Sequence, residues 1–245
     1  MSALLPRVLL IEDDPSMQQF VSLVLQDFHL ELVSVDSVEA GLGELARAPV
    51  ALILSDLNMP GLTGFDLVDR LAAEPSLRGN ARIAIFSAGL DEAARRRLDR
   101  PSVWRLLSKP CRLEELEACV DEALAAQASF VAPVREAVTA GAPDDTIARY
   151  FGGDVELFTA FRQACVERFD DDIATGDRAS EAGDIDTLHH LSHSLKSVLR
   201  MLGLPRDAAI AFALEDACAH AEGADSLAVI RPLWQGLRRV ICTLR

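Results

Sequence analysis

Three acidic side chains in a row, Glu12-Asp13-Asp14, follow the apolar run Val8-Leu9-Leu10-Ile11, and Asp56 follows a second run, Ala51-Leu52-Ile53-Leu54-Ser55. Carboxylates gathered in one place repel one another and raise at least one pKa. A hard divalent cation or a fixed ammonium relieves that repulsion. Mg²⁺ suits such a set, because it takes oxygen ligands octahedrally and keeps water or phosphate oxygens in its remaining positions. Ser87 closes a third run, Ile83-Ala84-Ile85-Phe86, and offers a hydroxyl, while Lys109 offers a compact positive charge. Carboxylates, hydroxyl and ammonium gathered in one place would make a site for a hard cation and its oxygen ligands. A plainer alternative makes Asp13 and Asp14 helix caps and Asp56 a loop cap. Capping leaves Lys109 unexplained.

A second constellation lies far along the chain, where His189, His190 and His193 share a leucine-rich stretch with Lys196. Leu188, Leu191, Leu195, Val198 and Leu202 form a helical seam, and at about 100° per residue His193 falls nearly opposite it. His193 is therefore expected to project into water, with His189, Lys196 and Arg200 on the same outward side. A solvated imidazole beside cations is a candidate nucleophile. His189 and His193, one turn apart, could also bind zinc, but no acidic or cysteine residue joins them on that face. An inert surface helix is the remaining alternative.

The cations carry a further signal. The 24 basic residues comprise 22 arginines and two lysines, Lys109 and Lys196. Random placement would put both lysines at these two candidate sites with a chance of roughly 1 in 280, and a planar guanidinium does not replace a compact ammonium.

The elements that must position these groups alternate over the first half. Strands are expected at Arg7–Ile11, Leu30–Val35, Ala51–Ser55, Arg82–Phe86 and Val103–Leu107, and helices at Ser16–Phe28, Ser37–Arg47, Gly64–Ala73, Glu92–Leu98 and Arg112–Ala126. Three strands are near-continuous apolar runs, the habit of a parallel sheet buried on both faces. The fold class is α/β, a doubly wound five-stranded parallel sheet, whose chemistry sits at the carboxyl ends of the strands. A connector spans 129–144. Beyond it only helix signals remain: Val155–Asp171, Asp186–Leu202, Pro205–Ala221 and Asp225–Ile241, with Gly203 and Pro205 as stop and start. An all-α four-helix bundle over 145–245 follows.

Four stretches of the first half resemble the receiver domain of two-component response regulators: Leu9-Leu10-Ile11-Glu12-Asp13-Asp14, Leu54-Ser55-Asp56-Leu57-Asn58-Met59-Pro60-Gly61 with Gly64, Phe86-Ser87-Ala88, and Ser108-Lys109-Pro110. The resemblance, assigned to a receiver domain at 1–128, implies that Asp56 accepts a phosphoryl group. It implies Mg²⁺ ligands at Asp13, Asp56 and the main-chain carbonyl of Asn58, with Glu12 acting through water. Ser87 and Lys109 would hold phosphoryl oxygens, and the Lys109–Pro110 bond would be cis. One departure is Leu106, where receivers usually carry Tyr or Phe.

His193-Ser194-Leu195-Lys196-Ser197, then Gly203 and Leu214-Glu215, resemble the histidine-phosphotransfer (HPt) domain. That resemblance implies His193 as the phosphorylated residue and Lys196 as a holder of a phosphoryl oxygen. Ser197 stands where glycine is usual, and Leu199 where a small residue is common.

The remaining composition excludes competitors. A net charge of −14 disfavours a nucleic-acid surface. The absence of an 18-residue uncharged apolar run predicts no membrane span, and the five scattered cysteines read as buried thiols of a cytoplasmic protein. No nucleotide-binding glycine loop supplies a phosphoryl donor. A metal-dependent hydrolase lacks a water-activating base beside Asp56. What remains is a phosphorelay intermediate and not an enzyme with its own substrate: a sensor histidine kinase or another phosphohistidine loads Asp56, and His193 exchanges with a receiver aspartate, here expected on a different protein. The alternative is a docking or dimerisation module controlled by Asp56, with His193 incidental.

Overall fold

The computed structural model describes residues 5–126, 146–221 and 226–245, and the chain divides after Gly153 into two compact units. The expected connector at 129–144 lies outside the described residues.

The first unit begins with β1 (Arg7–Ile11), α1 (Pro15–Val24), β2 (Glu31–Val35), α2 (Val38–Arg47), β3 (Leu52–Ser55) and α3 (Gly64–Ala73). It continues with α4 (Pro75–Arg78), β4 (Arg82–Ser87), α5 (Glu92–Leu98), β5 (Arg105–Ser108), α6 (Leu113–Ala125) and α7 (Thr146–Phe151). All five strands are parallel, in the order β2-β1-β3-β4-β5. The doubly wound sheet is therefore as the apolar runs predict. Leu9, Ile11, Ile53, Ile83 and Ile85 face one core with Leu67, Val68 and Leu71 of α3. Alternation sends Val8, Leu10, Leu52 and Leu54, all fully buried, to the opposite face.

Register then decides what lies together. Ile11 pairs with Ser55, so Glu12 and Asp56 leave adjacent strands side by side, and the Asp56 amide donates to the Ile11 carbonyl at 3.0 Å. Ser87 pairs with Ser108, and the Lys109 amide donates to the Ser87 carbonyl at 3.0 Å. The fifth strand starts at Arg105, later than the expected Val103, and the guanidiniums of Arg82 and Arg105 lie 4.3 and 4.5 Å from the centre of the Trp104 ring. Gly64 opens α3 so close to β3 that a Cβ there would meet the Asp56 carbonyl oxygen at 2.2 Å.

The second unit packs α8 (Val155–Ala182), α9 (Ile185–Met201), α10 (Pro205–Ala219) and α11 (Leu227–Leu244). The helical bundle is thus observed, beginning at Asp154 where the sequence suggests 145, since α7 lies in the first unit. The main correction is α8, expected to end at Asp171 but 28 residues long. Its second half looks non-helical because it is polar and contains Gly176. That glycine is where the fully buried Trp234 of α11 packs: a Cβ on Gly176 would stand 2.1 Å from the indole. Trp234 Nε1 donates to Asp177 Oδ1 at 2.9 Å, and Arg238 Nε to Asp177 Oδ2 at 2.9 Å. Gly183, with φ +72°, stops the helix.

Candidate functional site

At the carboxyl ends of β1 and β3, carboxylate oxygens of Glu12, Asp13 and Asp56 lie within 4.8 Å of one another, the one group of three or more metal-ligating side chains found among the described residues. Glu12 and Asp56 are buried. Asp56 is held at both oxygens: Oδ1 accepts from the amides of Leu57 and Asn58, and Oδ2 from Lys109 Nζ at 2.6 Å. The same ammonium donates to Glu12. Burial alone would lower the Lys109 pKa, but Asp56 and Glu12 beside it raise it above its ordinary value, so the ammonium is fixed in its charged form. Burial, reinforced by the Asp56 charge, pushes the Asp13 carboxyl up to about 6. The mutual repulsion expected from the acidic triplet is therefore present, and Lys109 only partly offsets it.

Ser87 is fully buried at the end of β4, its Oγ accepting from the Gly89 amide at 3.2 Å. Asn58 lies above Gly89, where a Cβ would meet its side-chain nitrogen at 2.6 Å. The Lys109–Pro110 bond is cis. Capping is also present, though by Asp14: its Oδ1 accepts from the Ser16 amide at 2.8 Å, while its buried Oδ2 has no hydrogen-bond partner. Asp13 is thereby left to the acidic cluster.

The histidine site departs from expectation. His193 does not project into water: it is 8 % exposed. Lys196 is buried as well, whereas Arg200 is exposed and His189 intermediate. The helical wheel gives α9 one apolar seam, yet Ser192, Ser197, Leu199 and Met201 are also buried, so neighbouring helices cover most of its circumference. α10 supplies the group that makes burial tolerable. Glu215 Oε1 takes His193 Nδ1 at 2.5 Å, and Glu215 Oε2 accepts from Lys196 Nζ at 2.5 Å. An acidic residue therefore does join the histidine face, from a different helix. Even so, the His189/His193 pair forms no three-ligand group among the described residues, which leaves the zinc alternative without support.

Glu215 is the functional residue that the sequence names only as part of a matching Leu-Glu pair. Burial alone would raise its carboxyl, but hydrogen bonds from His193 and Lys196 hold it at about 2. A carboxyl lowered on folding adds stability above its unfolded value and loses it on acidification. The bundle's extra stability over Glu215→Gln should thus be complete above about pH 4.5 and fade as pH falls to about 2. We expect about 1–2 kcal/mol after discounting for solvent screening, read from urea unfolding at several pH values. His193 Nε2, the other ring nitrogen, is buried without a hydrogen-bond partner.

The two lysines share one trait: among the described residues they are the only buried lysine or arginine side chains, and each ammonium is paired with carboxylate oxygen, Lys109 with Glu12 and Asp56 and Lys196 with Glu215. Four cysteines are buried free thiols as expected, but Cys242 is exposed. No helix among the described residues is long and apolar enough to cross a membrane.

Two family models match the chain, one in each half. Residues 8–121 match the response regulator receiver domain family, and residues 157–241 match the Hpt domain family. Virulence sensor protein BvgS of Bordetella pertussis is 26 % identical over 191 residues, 76 % of this chain and 15 % of that protein. Sensor histidine kinase TmoS of Ectopseudomonas mendocina is 36 % identical over 115 residues, 47 % of this chain and 12 % of that protein. Hybrid signal transduction histidine kinase D of Dictyostelium discoideum is 31 % identical over 115 residues, 47 % of this chain and 7 % of that protein. The chain thus spans a small part of the length of these relatives. With the sheet, the acidic cluster and the helical bundle in place, the chain belongs to the two-component signalling families as a response regulator receiver domain followed by an Hpt domain.

Proposed function

We propose that this chain is a phosphorelay carrier that takes a phosphoryl group on Asp56 and exchanges phosphoryl on His193 with a receiver aspartate. One observation carries the reading: the two candidate acceptors each stand in a carboxylate–lysine cluster built from the chain's only two lysines, both buried. The docking alternative, with His193 incidental, gives no reason for a half-buried Glu215 to bind the buried His193 and Lys196 at once.

At the first site, a carboxylate oxygen of Asp56 attacks the phosphorus of a phosphohistidine. The O–P bond forms as the N–P bond breaks, and the donor imidazole leaves neutral if its other nitrogen carries a proton. Lys109 neutralises charge on the transferred group, and Ser87 supplies a hydroxyl to it. The all-oxygen donor set of Glu12, Asp13 and Asp56 suits Mg²⁺ better than a softer metal. Asp13, Asp56 and the Asn58 carbonyl would hold that ion, with Glu12 behind a water, and it would supply further charge neutralisation.

Added Mg²⁺ should raise the melting temperature of the receiver domain relative to an EDTA-treated sample by several degrees, on the order expected for saturating ligand. Asp13→Asn should remove most of that increment, as followed by calorimetry.

At the second site, neutral His193 attacks an aspartyl phosphate through Nε2. The N–P bond forms, the O–P bond breaks and the carboxylate leaves, so the ring becomes cationic with its Nδ1 proton against Glu215. Because Nε2 is buried, the side chains over it must shift when a partner arrives.

The test uses the full chain. A small acyl phosphate with Mg²⁺ should place base-labile label on Asp56, lost in Asp56→Asn. Mixing the chain with a separately phosphorylated receiver should give acid-labile, base-stable label, lost in His193→Gln. Absence of the second label from the wild type would return the bundle to the docking alternative.

The wider partners, a sensor histidine kinase upstream and another protein's receiver downstream, follow from this chemistry and from the kinds of proteins the chain resembles.

A further inference from the structure

The receiver domain is complete without α7, yet the chain lays this six-residue helix on it. A helix that short is not stable alone in water, so contacts hold it. Phe151 is fully buried while Arg149 and Gly152 on either side of it are exposed. Its ring meets that of Phe20 on α1 edge-on at 5.8 Å. Gly152 lies against the first turn of α6, where an added Cβ would stand 3.1 Å from Leu113 and Glu114 side-chain atoms. Gly152 and Gly153, with φ +58° and +86°, then turn the chain away, and the Gly153 amide donates to the Ile147 carbonyl at 3.0 Å to end the helix. α7 thus bridges α1 and α6.

Both of those helices start beside the chemistry. α1 begins directly after Glu12 and Asp13, and α6 begins four residues after Lys109. A folded partner carrying a phosphohistidine must bring its own surface over this end of the sheet. A small molecule need not.

We propose that α7 is a strap, anchored by Phe151, that restricts access of a phosphohistidine-bearing protein to Asp56 while leaving small donors unhindered. This rests on the phosphoryl-carrier reading above.

The test needs two full-length copies. The donor carries Asp56→Asn and is loaded on His193 with phosphoramidate. The acceptor carries His193→Gln, alone or combined with Phe151→Asp, Phe151→Leu or Gly152→Ala. Phe151→Asp should accelerate transfer to Asp56 at least fivefold. Gly152→Ala, strained at a positive φ, should accelerate it less, and Phe151→Leu should match the parent. Labelling by acetyl phosphate should stay within twofold throughout. Equal or slower transfer to Phe151→Asp, or no transfer to any acceptor, would overturn the strap. So would a proportional change with acetyl phosphate, since the variant would then have altered the site itself. Failure of the small donors to label Asp56 and His193 at all would remove the carrier reading along with it.

Discussion

Glu215→Ala is expected to slow phosphoryl transfer to His193 by about two orders of magnitude while leaving acyl-phosphate labelling of Asp56 unchanged. Three effects combine. Glu215 fixes the His193 ring through Nδ1 at 2.5 Å, which leaves the lone pair on Nε2, the nitrogen without a partner. It offsets the positive charge that the ring gains when the N–P bond forms. It also holds Lys196 beside the ring. Glu215→Gln keeps an acceptor oxygen and loses the charge, so its rate should fall between wild type and Ala. The loss should appear in the maximal rate and not in the receiver concentration giving half of it. Nitrogen NMR of His193 should show a fixed Nδ1–H tautomer in the wild type and a mixture in Glu215→Ala. An unchanged rate with an unchanged tautomer would remove Glu215 from the chemistry.

Gly176→Ala should destabilise the Hpt domain by about 3 kcal/mol or more, although glycine-to-alanine inside a helix ordinarily gains about 1 kcal/mol. The sign reverses because the new methyl would sit 2.1 Å from the Trp234 ring. That ring has nowhere to go: it is fully buried and tethered through Nε1 to Asp177, which also binds Arg238. Relief requires α8 and α11 to part, exposing the indole. Urea unfolding followed by Trp234 fluorescence in a Trp104→Phe background reads the change. A neutral or stabilising outcome would show that the two helices are not pressed together at this point.

The receiver site was legible almost residue by residue, because each of its groups sits just past the end of a strand. A parallel sheet brings those ends together whatever else the fold does, so Glu12, Asp13, Asp56, Ser87 and Lys109 could be gathered from strand boundaries alone. Of the two residues that the capping alternative named, only Asp14 caps the first helix, its carboxylate accepting from the Ser16 amide. Bundle packing gives no such guarantee. A helix offers its whole circumference, and a wheel drawn from α9 reveals the leucine seam but not what covers the other sides. Hence the expectation of a solvated His193, where the structure has a buried one braced by α10. Gly176 misled in the same way: its role exists only in relation to Trp234, more than fifty residues later.

By itself the sequence determined the α/β and helical halves and singled out Asp56, His193, Lys109 and Lys196 as candidates, because strand periodicity, helix seams, short motifs and residue scarcity are properties of one chain read in order. Only the tertiary structure decided that His193 is buried, that Glu215 partners it, that Gly176 must lack a side chain, and that Phe151 closes on Phe20. Each of these depends on which surfaces meet across long sequence separations. Burial of a polar group is tolerable only where a second element delivers its hydrogen-bond partner, and no local pattern encodes that delivery.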